Sequence, residues 1–289
     1  MTGKKVILAA GGTGGRRIRA ASPGKGGMAG KVKAILELGV GTVQSALHLK
    51  SLNATIAVGF GGYPSVPTVR AAAFLGLPVV LHEQNAVLGR ANRFLAPHAR
   101  KIATSFREMT TLSDGESTKC HFTGNPVRPA VLGMRGAKAD TGDGHLNLLI
   151  FGGSQGATVF SAIVPEAIAG IPEDLLPRLR ITQQRRAEDV EPVKARYNAL
   201  GVAADVRPFF DDLPERMASA DLVIARSGAS TIAELSAIGR PSILVPYPRA
   251  ADDHQTANAL AHQATGAAWM MPEPDEFTAG KLADTLRGL

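Results

Sequence analysis

LLIFGGSQGA, residues 148–157, restates a pattern that opens the chain as VILAAGGTGG, residues 6–15. Each copy is an uncharged run of strand length, then a double glycine, a hydroxyl residue and a further glycine. The runs are continuously apolar instead of alternating, as in parallel strands buried on both faces. Glycines directly after such a strand let the backbone turn and approach a ligand, commonly an anion held at a following helix. Two copies predict two similar α/β domains.

Working outward, the first copy places a strand at Val6–Ala10 and the second at Leu146–Phe151. Further apolar runs lie at Thr55–Phe60, Pro78–His82 and Lys101–Ser105, then at Arg180–Gln183, Leu222–Ala225, Ser242–Pro246 and Ala268–Met271. Amphipathic stretches such as Thr68–Leu75, Ala187–Leu200 and Ser230–Ile238 fall between them. This alternation predicts doubly wound parallel sheets. The turn-rich Thr123–Pro129 and the polar Gly133–Gly144 mark a join, so the expected domains are residues 1–127 and 128–289. Ligands in such sheets sit beyond the carboxyl ends of the strands, so two Rossmann-like domains are expected to face a cleft.

Composition narrows the partners. The 289 residues carry 32 Lys and Arg against 25 Asp and Glu, a net charge of +7 that favours anionic ligands or surfaces. Arg16, Arg17, Arg19, Lys25, Lys31 and Lys33 form a basic run beside Met28, Val32, Ile35 and Leu36. That mixture reads as a peripheral contact with an anionic membrane surface. Nucleic acid is disfavoured, because aromatics are only 5% and no zinc-finger spacing or RNP-like motif is present. Cys120 is the single cysteine, which excludes an intramolecular disulfide. The seven His are scattered without ligand spacing, so no metal is expected. No signal peptide is read, and Ser51–Val69, a long uncharged stretch, is broken by three Gly and two Pro, so no transmembrane helix is expected.

Four glycine loops follow strand candidates: Gly11–Gly15, Gly59–Pro67, Gly152–Ala157 and Ser227–Ser230. A single such loop needs nothing more than a turn with positive φ. Four on the same side of their sheets favour phosphate or sugar binding. Arg17 stands where a dinucleotide fingerprint wants Gly or Ala, and Gly26 follows Lys25 where a P-loop wants Ser or Thr. Arg226-Ser-Gly-Ala-Ser-Thr-Ile-Ala-Glu234 offers backbone N–H groups and a helix dipole to a diphosphate, with Glu234 either accepting from ribose hydroxyls or simply favouring the helix start. His82-Glu-Gln-Asn85 groups four polar side chains at a strand end, as recognition of a hydroxyl-rich ligand requires. Asp252–Asn258 is a second polar cluster, in which Asp252 or Asp253 is expected to cap a helix.

GGTGG, GFGGYPSVP, LHEQN, GNPVR, FGGSQGA, RSGAST-x-x-E and DHQT-x-NA occur in that order along the chain. In these seven motifs it resembles the lipid II-forming N-acetylglucosaminyltransferases, a family of the GT-B superfamily. The resemblance implies two Rossmann-like domains and inverting transfer from UDP-N-acetylglucosamine to an undecaprenyl-linked muramyl-pentapeptide. It also implies no essential metal or other cofactor, and work at the cytoplasmic face of the bacterial membrane. It assigns Arg128, Ser154, Glu234 and Gln255 to the donor, with Glu234 on the ribose. Gly228, Ala229, Ser230 and Thr231 would hold the diphosphate, and Phe209, Phe210 and Leu213 would border the uracil. Thr13, Gly14, Gly15, Tyr63 and Asn85 line the acceptor-facing side, all but Tyr63 also counted among donor contacts. Two other readings stay open: a GT-B transferase with a different glycolipid acceptor, and a catalytically impaired nucleotide-sugar-binding protein.

The chain departs from that family at two places. A His, a helix and a second strand are expected after GGTGG, whereas here Arg16 and the basic loop follow at once. A strand–helix unit of at least about 30 residues is therefore expected to be absent between Gly15 and Arg16. The family's His is its candidate base, leaving His82 and Glu83 as the nearest alternatives. The family also continues past the position of Leu289 into further helices.

Overall fold

A computed structural model describes residues 5–9, 28–137, 144–153 and 157–288. The chain divides into two compact units, Met1–Asn125 and Pro126–Leu289.

The second unit is built on six parallel strands: β6 Leu146–Phe151, β7 Leu179–Gln184, β8 Ala203–Arg207, β9 Leu222–Ala225, β10 Ser242–Leu244 and β11 Ala268–Met270. Their order is β11-β10-β9-β6-β7-β8, with the first strand in the middle and the chain winding out both ways. This is the doubly wound arrangement, whose crevice lies where the winding reverses, between β6 and β9. Register fixes that crevice, with Phe151 opposite Ala225, so the turns after both strands emerge side by side. The helices are α5 Pro129–Gly133, α6 Thr158–Ala169, α7 Val190–Ala199, α8 Leu213–Ser219, α9 Ala229–Ile238, α10 His254–Gln263 and α11 Ala279–Arg287. Ile150, Ile181, Ile224 and Ile243 from four strands pack with Phe160 and Ile168 of α6, all fully buried. Complete burial of such a side chain contributes about 1.5–3 kcal/mol.

The first unit carries β1 Val6–Ala9, β2 Ile56–Gly59, β3 Val79–Glu83, β4 Lys101–Thr104 and β5 Cys120–Phe122, all parallel. Its order is β1-β2-β3-β4-β5, each strand beside its predecessor, so among the described residues this sheet winds one way only. Its helices are α1 Met28–Ser51, α2 Val66–Phe74, α3 Arg90–Leu95 and α4 Asp114–Ser117. Residues 10–27, where the family's strand–helix unit is expected to be absent, lie outside the described residues.

All nine predicted strands are present. The two that the sequence did not announce, β5 and β8, are sheet edges. His121 and Phe122 are exposed on β5, and β8 reads AADVR with only Val206 buried. Neither needs the continuous apolar run that marks a central strand.

Candidate functional site

The turn after β9 is anchored from three directions. Arg226 lies over the Phe160 ring at 5.3 Å and the Tyr247 ring at 5.4 Å. Its Nη1 donates to the carbonyls of Val245 (3.2 Å) and Pro246 (3.0 Å), and it pairs with Glu273. Ser227, fully buried, donates its hydroxyl to the Gln255 carbonyl (2.8 Å), while Asn258 Nδ2 donates to the Ser227 carbonyl (3.1 Å). Gly228 is then the extended N-cap of α9 with no side-chain cap, which leaves the first N–H groups of that helix to a ligand. Ala229, Ser230 and Thr231 form its first turn.

Glu234 lies in the second turn of α9, its side chain 13% exposed. It holds Arg128 in a bidentate pair, Nε to Oε1 at 2.8 Å and Nη2 to Oε2 at 3.0 Å. Hydrogen bonding to Glu234 raises the Arg128 pKa above its ordinary value. Two groups expected to touch the donor separately therefore touch each other. Gln255 uses Oε1 to accept from the Tyr247 N–H (2.9 Å). Asp253 takes the N-cap position of α10, but its Oδ1 accepts from the Thr256 hydroxyl (2.7 Å) instead of a backbone N–H. Phe210 is buried beneath Arg216 (4.2 Å to the ring centroid), so Phe209 is the exposed member of the pair.

The exit from β6 is constrained at Gly152. A Cβ on Gly152 would lie 2.4 Å from the Ala157 nitrogen, so only glycine fits there.

In the first unit, Gly61 (φ +73°) and Gly62 (φ +69°) carry the chain from β2 into a 3₁₀ turn at Tyr63–Ser65. Those angles favour glycine. The end of β3 is organised by Glu83, 2% exposed. Its Oε1 accepts from the Asn85 N–H (3.1 Å) and Nδ2 (3.2 Å), and its Oε2 from the Gly89 N–H (3.0 Å) and Asn92 Nδ2 (2.8 Å). His82 is used as fully. Gln84 Nε2 donates to its Nδ1 (2.9 Å), which places the proton on Nε2, facing the Gly124 carbonyl at 3.1 Å. Asn92 was not singled out in the sequence, yet it joins both by also donating to the His82 carbonyl (3.1 Å).

Comparison with known proteins gives this geometry its context. The glycosyltransferase family 28 N-terminal domain matches residues 16–104 and the family's C-terminal domain matches residues 147–289. A UDP-N-acetylglucosamine--N-acetylmuramyl-(pentapeptide) pyrophosphoryl-undecaprenol N-acetylglucosamine transferase of Rhodospirillum centenum is 57% identical over 275 residues, covering 94% of this chain and 72% of its own. The protein of that name from Paramagnetospirillum magneticum is 51% identical, covering 91% and 73%. The crystal structure of Acinetobacter baumannii MurG superposes with a TM-score of 0.78 at 28% identity, covering 99% of this chain and 90% of that one. The chain belongs to the MurG family.

It is therefore a glycosyltransferase. Of the residues that the MurG resemblance singled out, Arg128, Phe210, Gly228, Ala229, Ser230, Thr231, Glu234 and Gln255 all fall in the second unit, and Tyr63, His82, Glu83 and Asn85 in the first. Thr13, Gly14, Gly15, Ser154 and the basic residues Arg16, Arg17, Arg19 and Lys25 lie outside the described residues. Lys31 and Lys33 belong to α1. Among the described residues no group of His, Cys, Asp or Glu is arranged to hold a metal, and no helix is long and apolar enough to cross a membrane. Sequence reasoning missed Glu273 and Arg185. Glu273 follows a strand without any motif, and Arg185, after the polar Gln183-Gln184, reads as a solvated strand end.

Proposed function

We propose that this chain transfers N-acetylglucosamine from UDP-N-acetylglucosamine to undecaprenyl-pyrophosphoryl-N-acetylmuramyl-pentapeptide, forming lipid II with inversion at the sugar. The observation that carries the reading is the 57% identity to a relative named for that reaction. The uncapped α9 N-terminus supports it, since the departing UDP gains negative charge that helix N–H groups and Arg128 can stabilise without a metal. Transfer of labelled sugar to a lipid-linked acceptor tests it. A panel that includes other glycolipid acceptors separates this reading from a transferase of different specificity.

Donor binding belongs to the second unit in this reading, with Glu234 on the ribose. Glu234→Ala is expected to weaken UDP binding by about 1–3 kcal/mol, through lost hydrogen bonds and through release of Arg128 from its fixed position. Titration calorimetry without added metal measures it, and unchanged affinity would leave Glu234 with only its role toward Arg128.

The acceptor is membrane-bound, and the basic run from Arg16 to Lys33 is read as a peripheral contact at the cytoplasmic face. Sedimentation with liposomes is expected to be stronger with anionic lipid and to fall with salt. Binding indifferent to both would remove the electrostatic contact. Nucleic acid is no partner in this reading.

A further inference from the structure

We propose that Arg185 is a positioning residue for the anionic donor. It fixes the start of α6 and keeps behind Ala157 a buried positive charge that a nucleoside diphosphate neutralises. The inference rests on the donor reading above and names the residue through which that site attracts charge.

Arg185 follows β7 directly, and its side chain is 1% exposed. Nη1 donates to the Ala157 carbonyl at 2.6 Å, and Ala157 is the N-cap of the twelve-residue α6. Nη2 donates to Asp189 Oδ2 at 3.2 Å, and Nε is buried without a partner. Asp189 is 27% exposed and shares that same oxygen with the Ser161 hydroxyl (3.1 Å). The guanidinium thus meets the positive end of a helix dipole, where a cation is unfavourable. A single, partly solvated carboxylate offsets it. Burial lowers its pKa below the ordinary arginine value, yet a guanidinium does not give up its proton in a protein. The site is short of negative charge as it stands.

The α6 N-terminus that Arg185 braces is where that deficit can be met. Ala157 closes against Gly152 so tightly that no side chain fits between them, and Arg185 holds Ala157 from behind. Sheet register sets Gly152, with Ala157 packed against it, beside the Arg226–Gly228 segment, because Phe151 and Ala225 are register partners. A diphosphate bound to the α9 N-terminus therefore lies next to the α6 N-terminus and its buried cation. Such preorganised charge in a desolvated setting acts on an anion far more than a surface arginine does.

The test is titration of the full chain with UDP and with uridine, which keeps base and ribose but carries no charge. Arg185→Met is expected to lose about tenfold in UDP affinity with uridine affinity unchanged, and Arg185→Lys to retain most of the UDP affinity. Asp189→Asn removes the competing negative charge and is expected to bind UDP about threefold more tightly. A plain structural brace predicts the opposite sign for Asp189→Asn, and equal losses for UDP and uridine in Arg185→Met. Either result overturns the proposal. If Arg185→Met does not fold, the Asp189→Asn and Arg185→Lys titrations decide alone. Wild-type protein that binds no UDP would instead overturn the donor reading itself.

Discussion

Sugar transfer by this 289-residue chain is expected to run about 10²–10⁴-fold slower than by the Rhodospirillum centenum relative, while UDP binding persists. Displacing UDP requires the acceptor hydroxyl to lose its proton as it attacks, and a positioned base is worth a factor of that order. Family resemblance puts a His directly after GGTGG, and Arg16, which keeps its proton at any working pH, stands there instead. His82 does not replace it, because its free lone pair already accepts from Gln84. Glu83 does not either, with four N–H donors on its two oxygens and almost no exposure. Inserting a family strand–helix segment with its leading His between Gly15 and Arg16 is expected to restore the rate. The comparison needs a mass-verified chain and a single-turnover assay at saturating donor. Turnover at the relative's rate would show that the base lies elsewhere.

Glu83→Ala is expected to destabilise the first unit by about 3–5 kcal/mol. The substitution removes the acceptor of the half-buried Asn85 and Gly89 N–H groups and of one of the two N–H bonds of the buried Asn92 amide, the other of which goes to the His82 carbonyl. Each unsatisfied buried donor costs about 1–3 kcal/mol, and the loss of a charged acceptor puts the sum toward the upper part of that range. Denaturant unfolding followed by probes in each unit reads it, since only the first unit's transition should move. Loss of less than about 1 kcal/mol would mean that water or a rearranged loop takes over the carboxylate's bonds.

How far these features could be read in advance depended on what kind of signal they leave. Central strands such as β6 and β9 are written as uninterrupted apolar runs, because both faces are covered, and the glycines after β6 follow from the close approach at Gly152 and the positive φ of Gly153. Edge strands β5 and β8 have one side to solvent and leave no such run. Glu234 and Arg128 were each expected to contact a donor, but 106 positions separate them, and only the fold brings them into one ion pair. The polar group His82–Asn85 was visible as a cluster. Its internal use was not, because Asn92 and Gly124 supply the partners from outside the motif. Arg185 shows the remaining limit: a charged residue after a strand reads as surface until tertiary packing buries it.

The different strand orders of the two sheets also set when each can form as the chain leaves the ribosome. Among the described residues of the first unit each strand pairs with the one made just before it, so that sheet grows by accretion up to β5. The second unit cannot close in that manner. Its central strand β6 is made first, pairs outward with β7, and waits with its other side open until β9 arrives more than seventy residues later. The N-terminal half thus pairs consecutive strands, while the C-terminal half carries the longer-range closure that slows folding and leaves an unpaired strand edge open in the interval.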